Sequence, residues 1–243
     1  MARHPRLVIP QQPHHLIQRG NNRQAIFIDE ADYAFFLRCL REGCREVKVA
    51  IHAYVLMPNH LHLLASPAEA TGLSRLMQWI GRFYVPYFNR KYDRVGTLFQ
   101  GRFKAIVVQS ERYFLTCSRY IEQNPVRAGM VVHPANFTWS SYAHHVGLRI
   151  DPLLTDHAIY WALGNTPFQR EAAYRELVDE IMSGTEVELV TIATQKGWPL
   201  VAQPFKTTLE KVAKRPLGPV KRGRPRKMPE LAEATSNNLT GVT

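Results

Sequence analysis

The chain has 243 residues, and its 31 Lys or Arg against 20 Asp or Glu give a formal net charge of +11. That length suits one good-sized domain with extensions, and no apolar run approaches the ~18–20 residues that a membrane span needs. The three cysteines (Cys39, Cys44 and Cys117) contain no CxxC pair, so they indicate neither a disulfide framework nor a cysteine zinc site. We expect a reduced, cytoplasmic protein with no membrane partner.

The front of the chain is predicted to alternate short strands with amphipathic helices. In chain order, the predicted elements are a strand at 14–20, a helix at 30–46, strands at 47–56 and 60–65, a helix at 72–90, a strand at 103–108 and a helix at 110–124. Asp29 and Ser110 are the expected N-caps. Pro86 is expected to kink or end the helix that contains it.

This order of elements predicts an α+β fold, with a ferredoxin-like or RRM-like antiparallel sheet and helices on one face. We place this domain at residues 1–150. Helical patterning predicts an extension at 151–205. The remaining residues, 206–243, are rich in Lys, Arg, Pro and Gly and then polar, which predicts a disordered tail.

Most of the net positive charge lies in that tail. Residues 206–227 carry nine Lys or Arg and one acid, a net +8 of the total +11. A polyanion is the natural partner, and nucleic acid is favoured over a membrane because no amphipathic anchor accompanies the charge. Residues 221–227 resemble an AT-hook, in which Arg222 and Arg224 would enter an A·T minor groove. A generic basic tail with salt-sensitive affinity is an equal alternative.

His60 and His62 flank Leu61 in an apolar stretch that follows Pro58 and Asn59. On a strand, alternate side chains share a face, so both imidazoles would point the same way. Two imidazoles side by side are a good start on a divalent-metal site. Two polar residues on the wet face of a half-buried strand are an equally good interpretation of this spacing alone.

Tyr120 and Asn124 are four residues apart, so on a helix they would share a face. Pro125 disfavours helical geometry at Asn124 and places its amide near a helix end, from which it could reach a metal held by His60 and His62. The Tyr120 hydroxyl would then lie near whatever the metal polarises, as a nucleophile for a phosphodiester. Ordinary aromatic packing on an amphipathic helix is the better interpretation of Tyr120 when it is taken alone.

The motifs together resemble a known family. Residues 56–64, which contain His60 and His62, resemble the HUH motif of the IS200-like Y1 transposases. Residues 120–129 resemble the nucleophile helix of the branch called REP-associated tyrosine transposases. Further segments similar to that branch are 19–23, 99–103 and 139–142. The resemblance runs from about residue 14 to residue 145.

The resemblance implies cleavage and rejoining of single-stranded DNA at hairpin-forming repeats such as REP elements, with a 5′-phosphotyrosine on Tyr120 and a free 3′-hydroxyl. It implies His60, His62 and Asn124 as ligands of Mg²⁺ or Mn²⁺. Relatives from insertion sequences usually carry Gln as the third ligand. This chain has Asn124 at that position, as the REP-associated branch does. We therefore expect a nucleoid-associated protein whose partner is single-stranded or hairpin DNA, as a monomer or a homodimer.

Basic residues near these motifs are candidates for phosphate contacts: Arg19, Arg23, Arg102, Lys104 and Arg127. Each is individually as consistent with a solvated surface cation. Phe99 and Trp139 could stack on bases, although core packing is favoured for either alone. We do not expect His14, His15 or His52 to be ligands, because His14 and His15 face opposite sides of a strand and His52 has no partner two residues away.

Two other functions remain open. A non-catalytic DNA-binding regulator could keep the fold and the tail, and incubation with repeat DNA with and without EDTA would distinguish it from an enzyme. A metal hydrolase of small substrates would require acidic ligands near the His-x-His pair, which are lacking, and would leave the basic tail unexplained.

Overall fold

The computed structural model describes residues 6–219. The strands are β1 (His14–Arg19), β2 (Val49–Met57), β3 (His60–Pro67) and β4 (Lys104–Val107). The helices are α1 (Glu30–Val47), α2 (Gly72–Lys91), α3 (Ser110–Glu122), α4 (Asn124–Arg127), α5 (Tyr142–His145), α6 (Ala158–Trp161), α7 (Pro167–Asp179), α8 (Gly184–Lys196) and α9 (Gln203–Ala213). Two 3₁₀ helices lie at Asn21–Arg23 and Pro134–Asn136. None of the helices in this part of the chain is long and apolar enough to cross a membrane.

The four strands form one antiparallel sheet in the order β2-β3-β1-β4. β2 and β3 form a hairpin around Pro58 and Asn59, whereas β1 pairs with two strands that are distant in sequence. In the β1–β3 register, Ile17 lies opposite His62 and Arg19 lies opposite His60. The order is that of a ferredoxin-like sheet, so the predicted α+β fold is confirmed.

Helices cover both faces of the sheet. On one face, α1 and α2 pack against strand residues that include Leu16, Leu61 and Leu63. On the other face, α3 and α8 pack around residues that include Leu64 and Ile106. The alternation of side chains along each strand separates these two cores. The predicted helices on one face correspond to α1 and α2. On the other face, α3 and α8 form a second helical layer that the sequence pattern did not predict.

α2 spans Gly72–Lys91 with Pro86 inside it, close to the predicted bounds of 72–90. The prediction that Ser110 caps the next helix is wrong. Ser110 is the first residue of α3 rather than its cap, because Gln109 takes the N-cap position and its side chain accepts a hydrogen bond from the Ala202 N–H. By contrast, Asp29 caps α1 as predicted, in a capping box with Asp32.

The prediction of a disordered tail from residue 206 is wrong for its first part. Helix α9 occupies 203–213, and Leu209 packs with Leu217 against Val107 of β4. The apolar side chains on one face of this segment are buried, which the Lys- and Pro-rich composition concealed. The rest of the predicted tail, with the AT-hook-like Arg222 and Arg224, lies outside the described residues.

Candidate active site

His60 and His62 project from β3 toward the face that α3 and α8 cover. Their ring centroids are 5.2 Å apart. Leu61, between them, is fully buried in the opposite core under α1 and α2. His60 is partly buried, at the end of the hairpin, whereas only 2% of His62 is exposed. The strand alternation predicted from the spacing therefore puts both imidazoles on one side of the sheet.

Asn124 contacts His62 just after the helix that contains Tyr120. α3 ends at Glu122, and Asn124 begins the short helix α4. The prediction that Pro125 places Asn124 at a helix boundary is therefore confirmed. The Asn124 Nδ2 donates to His62 Nε2 at 3.1 Å. The structure thus brings together all three side chains that the sequence proposed as metal ligands.

Tyr120 lies beside the same histidines. Its ring centroid is 6.1 Å from that of His62, and its hydroxyl is 3.2 Å from Thr191 Oγ1 of α8. The Arg127 guanidinium lies 4.2 Å from the Tyr120 ring centroid and also donates to the Tyr120 carbonyl. Only 9% of Tyr120 is exposed. The phenol therefore shares the histidine site but is held against α8.

Burial keeps both imidazoles neutral. It lowers the pKa of His60 to about 4, with a smaller contribution from the positive charge of Arg19. The pKa of His62 falls well below its usual range, mainly by burial and then by the neighbouring His15. Neutral imidazole is the form that binds a metal, because its free nitrogen has a lone pair. At neutral pH the histidines are in the right form for ligation.

The residues fit an oxygen- and nitrogen-bound divalent cation. Adjacent ligand atoms of an octahedral ion with bonds of ~2.1 Å are about 3 Å apart, and the Asn124 amide lies 3.1 Å from His62 Nε2. Rotation of that amide would present Oδ1, the atom that binds a cation. Within residues 6–219 no cluster of three or more His, Cys, Asp or Glu side chains could hold a metal. The donor set here is therefore two imidazoles and one amide, all uncharged.

The basic residues that the sequence predicted as DNA contacts lie at different places around the site. Arg19 is exposed and lies opposite His60 in the sheet. Arg102 and Lys104 are exposed and line a groove beside α8. Arg23 is exposed in the first 3₁₀ helix. Arg127, rather than facing solvent alone, covers the Tyr120 ring.

Core packing accounts for the aromatic candidates. Trp139 stacks on Tyr33 with ring centroids 4.6 Å apart, and both Trp139 and Phe99 pack against the core under α1 and α2. His14 is held by Gln12 and Ile9, and His52 by Thr155 and Ser66. These contacts give both histidines structural partners away from the candidate site.

His15 and two threonines of α8 belong to the site and were missed. His15 Nε2 lies 2.8 Å from His62 Nδ1, and their rings stack with centroids 5.0 Å apart. Thr194 contacts His15, and Thr191 contacts Tyr120. Strand alternation correctly separates His14 from His15, but only the β1–β3 register shows that His15 lies on the same face as His62. Nothing in the sequence connects α8 with this face.

Comparison with known proteins identifies the domain. The family model described as "Transposase IS200 like" matches residues 9–124. Residues 9–124 belong to the IS200-like transposase family. This confirms the family predicted from the motifs, and the matched part of the transposase domain contains the whole sheet, both histidines, Tyr120 and Asn124.

Two solved structures are similar to the transposase domain. One is a REP-associated tyrosine transposase bound to a REP hairpin, at 16% identity and a TM-score of 0.49, covering 65% of this chain and 93% of that one. The other is a putative transposase from Deinococcus radiodurans, at 18% identity and a TM-score of 0.35, covering 53% of this chain and 92% of that one. At these identities and TM-scores, neither structure informs the function of this chain. No curated protein is significantly similar to it.

Proposed function

We propose that this transposase domain is a metal-dependent endonuclease and strand transferase for single-stranded DNA, with Tyr120 as the nucleophile. The observation that carries the proposal is the convergence of Tyr120, His60, His62 and Asn124 on one face of the sheet within a single chain. Because the chain supplies both the phenol and the candidate ligands, a monomer contains every proposed group. A homodimer is not required to complete the site.

In this proposal, Mg²⁺ or Mn²⁺ held by His60, His62 and Asn124 would offset the negative charge that protects a phosphodiester from attack. The Tyr120 hydroxyl gives up its proton as its oxygen attacks phosphorus, the bond from phosphorus to the 3′-oxygen breaks, and the departing 3′-oxygen takes up a proton, so no net proton is released. The products are a 5′-phosphotyrosine and a 3′-hydroxyl, and reversal by another 3′-hydroxyl rejoins the strand. Tyr120 has to exchange its contact with Thr191 for the scissile phosphate before the attack.

A positively charged groove lies beside the site and supports DNA as the substrate. The groove lies between β4 and α8, has a volume of about 630 Å³, and its basic residues are Arg6, Arg102, Lys104, Lys196 and Arg215. No Asp or Glu is among the described residues that line it. A contiguous cavity of about 380 Å³ continues it past Thr194 to Arg19. We call these two cavities the β4–α8 groove, and its charge suits a phosphate backbone.

The proposed substrate is single-stranded DNA with a hairpin at a repeat such as a REP element, as the motif resemblance implies. Arg19, Arg102 and Lys104 would contact phosphates in the groove. Arg23, beside the turn between β2 and β3, is a further proposed phosphate contact. Arg127 is a proposed contact beside Tyr120, whose ring it also covers. Arg222 and Arg224 remain proposed contacts to duplex DNA.

The test is cleavage of labelled single-stranded hairpin DNA with Mn²⁺, with and without EDTA. We expect cleavage that EDTA abolishes and that His60→Ala and His62→Ala each reduce to background. His133→Ala is the matched control, since His133 pairs with Asp179 away from the sheet, and it should cleave like wild type. Binding without cleavage in the wild-type protein would instead support the DNA-binding regulator.

A further inference from the structure

A chain of hydrogen bonds leads from His62 into α8. His62 Nδ1 lies 2.8 Å from His15 Nε2, and His15 Nδ1 lies 3.0 Å from Thr194 Oγ1. Thr194 Oγ1 in turn lies 2.8 Å from the Val190 carbonyl oxygen. The exposed fractions of His15, His62 and Thr194 are 0%, 2% and 5%. Buried polar groups need partners within the protein, so these contacts determine where each proton sits.

The direction of each bond follows from the Val190 end. A carbonyl oxygen only accepts, so the Thr194 hydroxyl donates to it and accepts from the His15 Nδ1–H. A neutral imidazole has its proton on one nitrogen and accepts with the other, so with Nδ1 donating to Thr194 the Nε2 of His15 is an acceptor. His62 must then donate from Nδ1. Its Nε2 is left with a lone pair.

The partners on the other side of the site agree with this arrangement. The Asn124 Nδ2, which can only donate, lies 3.1 Å from His62 Nε2. His60 has the same tautomer through a different partner, because its Nδ1 lies 2.7 Å from Asn59 Oδ1. The Asn59 amide is oriented by its own donation to the Arg23 carbonyl. Both candidate ligands therefore present Nε2 as the free nitrogen.

We propose that His15 and Thr194 are positioning residues that hold His62 as its Nδ1–H tautomer, with the Nε2 lone pair directed at the cation site. Groups that orient a ligating histidine in this way fix its tautomer and raise its affinity for metal. Through Thr194, α8 becomes part of the metal site although it lies beyond the matched residues 9–124. The inference rests on the proposed metal-binding role of His62.

The test compares Thr194→Val with Thr194→Ser in the full chain. Valine keeps the shape of threonine and removes the acceptor, whereas serine keeps the hydroxyl. Nitrogen-15 NMR of histidine-labelled, metal-free protein reads the tautomer, and calorimetric titration with Mn²⁺ reads the affinity. We expect wild type and Thr194→Ser to show His62 protonated on Nδ1. Thr194→Val should show mixed tautomers and bind Mn²⁺ about tenfold or more weakly.

The controls separate this role from general stability. Thr207→Val removes the same type of hydroxyl-to-carbonyl bond at an exposed position of α9 and should change neither readout. His15→Leu removes the acceptor for His62 directly and provides a second variant if Thr194→Val does not fold. Wild-type His62 protonated on Nε2, or wild-type tautomer and Mn²⁺ affinity in folded Thr194→Val, would overturn the proposal. The NMR measurement of the His62 tautomer uses neither DNA nor metal, so its result does not depend on whether the chain cleaves DNA.

Discussion

At the scale of single residues, the candidate site depends on keeping polar groups uncharged in a buried place. His62 is almost fully buried, and both nitrogens have partners, His15 on one side and Asn124 on the other. Neutral ligands leave a bound cation with its full charge, which is what a Lewis acid acting on phosphate requires. Among the three proposed ligands, Asn124 alone would bind the cation through an oxygen atom, so neither histidine can replace it.

Asn124→Ala should weaken Mn²⁺ binding at least tenfold, because it removes the proposed oxygen ligand and the donor to His62 Nε2. Calorimetric titration of the purified chain measures the change. Asn136→Ala, which deletes an exposed amide in the second 3₁₀ helix, should leave the affinity unchanged. Equal Mn²⁺ affinity in Asn124→Ala and wild type would remove Asn124 from the ligand set.

The sequence predicted those features of the site that depend on local chain geometry, and it did not predict those that depend on tertiary contacts. The relation of His60 to His62 follows from strand alternation, and the position of Asn124 follows from Pro125; both are local and were predicted. The relations of His15 to His62 and of Tyr120 to Thr191 depend on strand register and helix docking. A single sequence contains no direct signal for either, so the places of His15 and Thr191 in the site were found only in the structure.

At the scale of elements, the start of α1 is joined to the end of α2 by a carboxylate that satisfies several donors. Asp32 accepts from the Ile28 and Asp29 N–H groups, from Lys91 and from the Tyr92 hydroxyl. Burial alone would raise the pKa of Asp32, but the bonds from Lys91 and these donors lower it overall. Pro86 does not interrupt α2, and that continuity is what brings Lys91 to Asp32.

Asp32→Asn should destabilise the fold at pH 7 by about 2 kcal/mol, since it loses hydrogen bonds to a charged group. Because the folded-state pKa of Asp32 is lowered, its contribution is present above the ordinary aspartate pKa and is lost as pH falls through the folded value. Urea unfolding at pH 7 and at low pH should therefore show the difference from wild type shrinking in acid. Glu46→Gln, an exposed change on the same helix, should show no difference at either pH. A difference that stayed constant would contradict this account.

At the scale of the whole molecule, the C-terminal part of the chain completes the front domain. α8 covers the sheet face that contains the histidines, and α9 packs against β4. The composition of residues 206–243 predicted a tail without structure, and the burial of Leu209 and Leu217 shows why this failed for its first part. The β4–α8 groove exists because α8 lies beside β4, so neither its shape nor its line of charges could be predicted from local sequence.

Lys104→Ala and Lys196→Ala, on the two walls of the β4–α8 groove, should each weaken binding of single-stranded DNA and flatten its salt dependence. Each lost phosphate contact lowers the magnitude of the slope of log affinity against log salt by about 0.7. Fluorescence anisotropy at several salt concentrations measures the slope. Arg45→Ala, at an exposed position of α1, is the matched control and should leave the slope unchanged. Unchanged slopes in both groove variants would place the DNA elsewhere.

The most direct test of the central claim is to locate the covalent bond between protein and DNA. The wild-type chain is incubated with single-stranded hairpin DNA and Mn²⁺, digested, and the DNA-bearing peptide is sequenced by mass spectrometry. We predict a phosphodiester adduct on Tyr120, which Tyr120→Phe abolishes while DNA binding persists and which Tyr113→Phe, on the same helix, leaves intact. An adduct on another residue, or an undiminished adduct in Tyr120→Phe, would contradict the account.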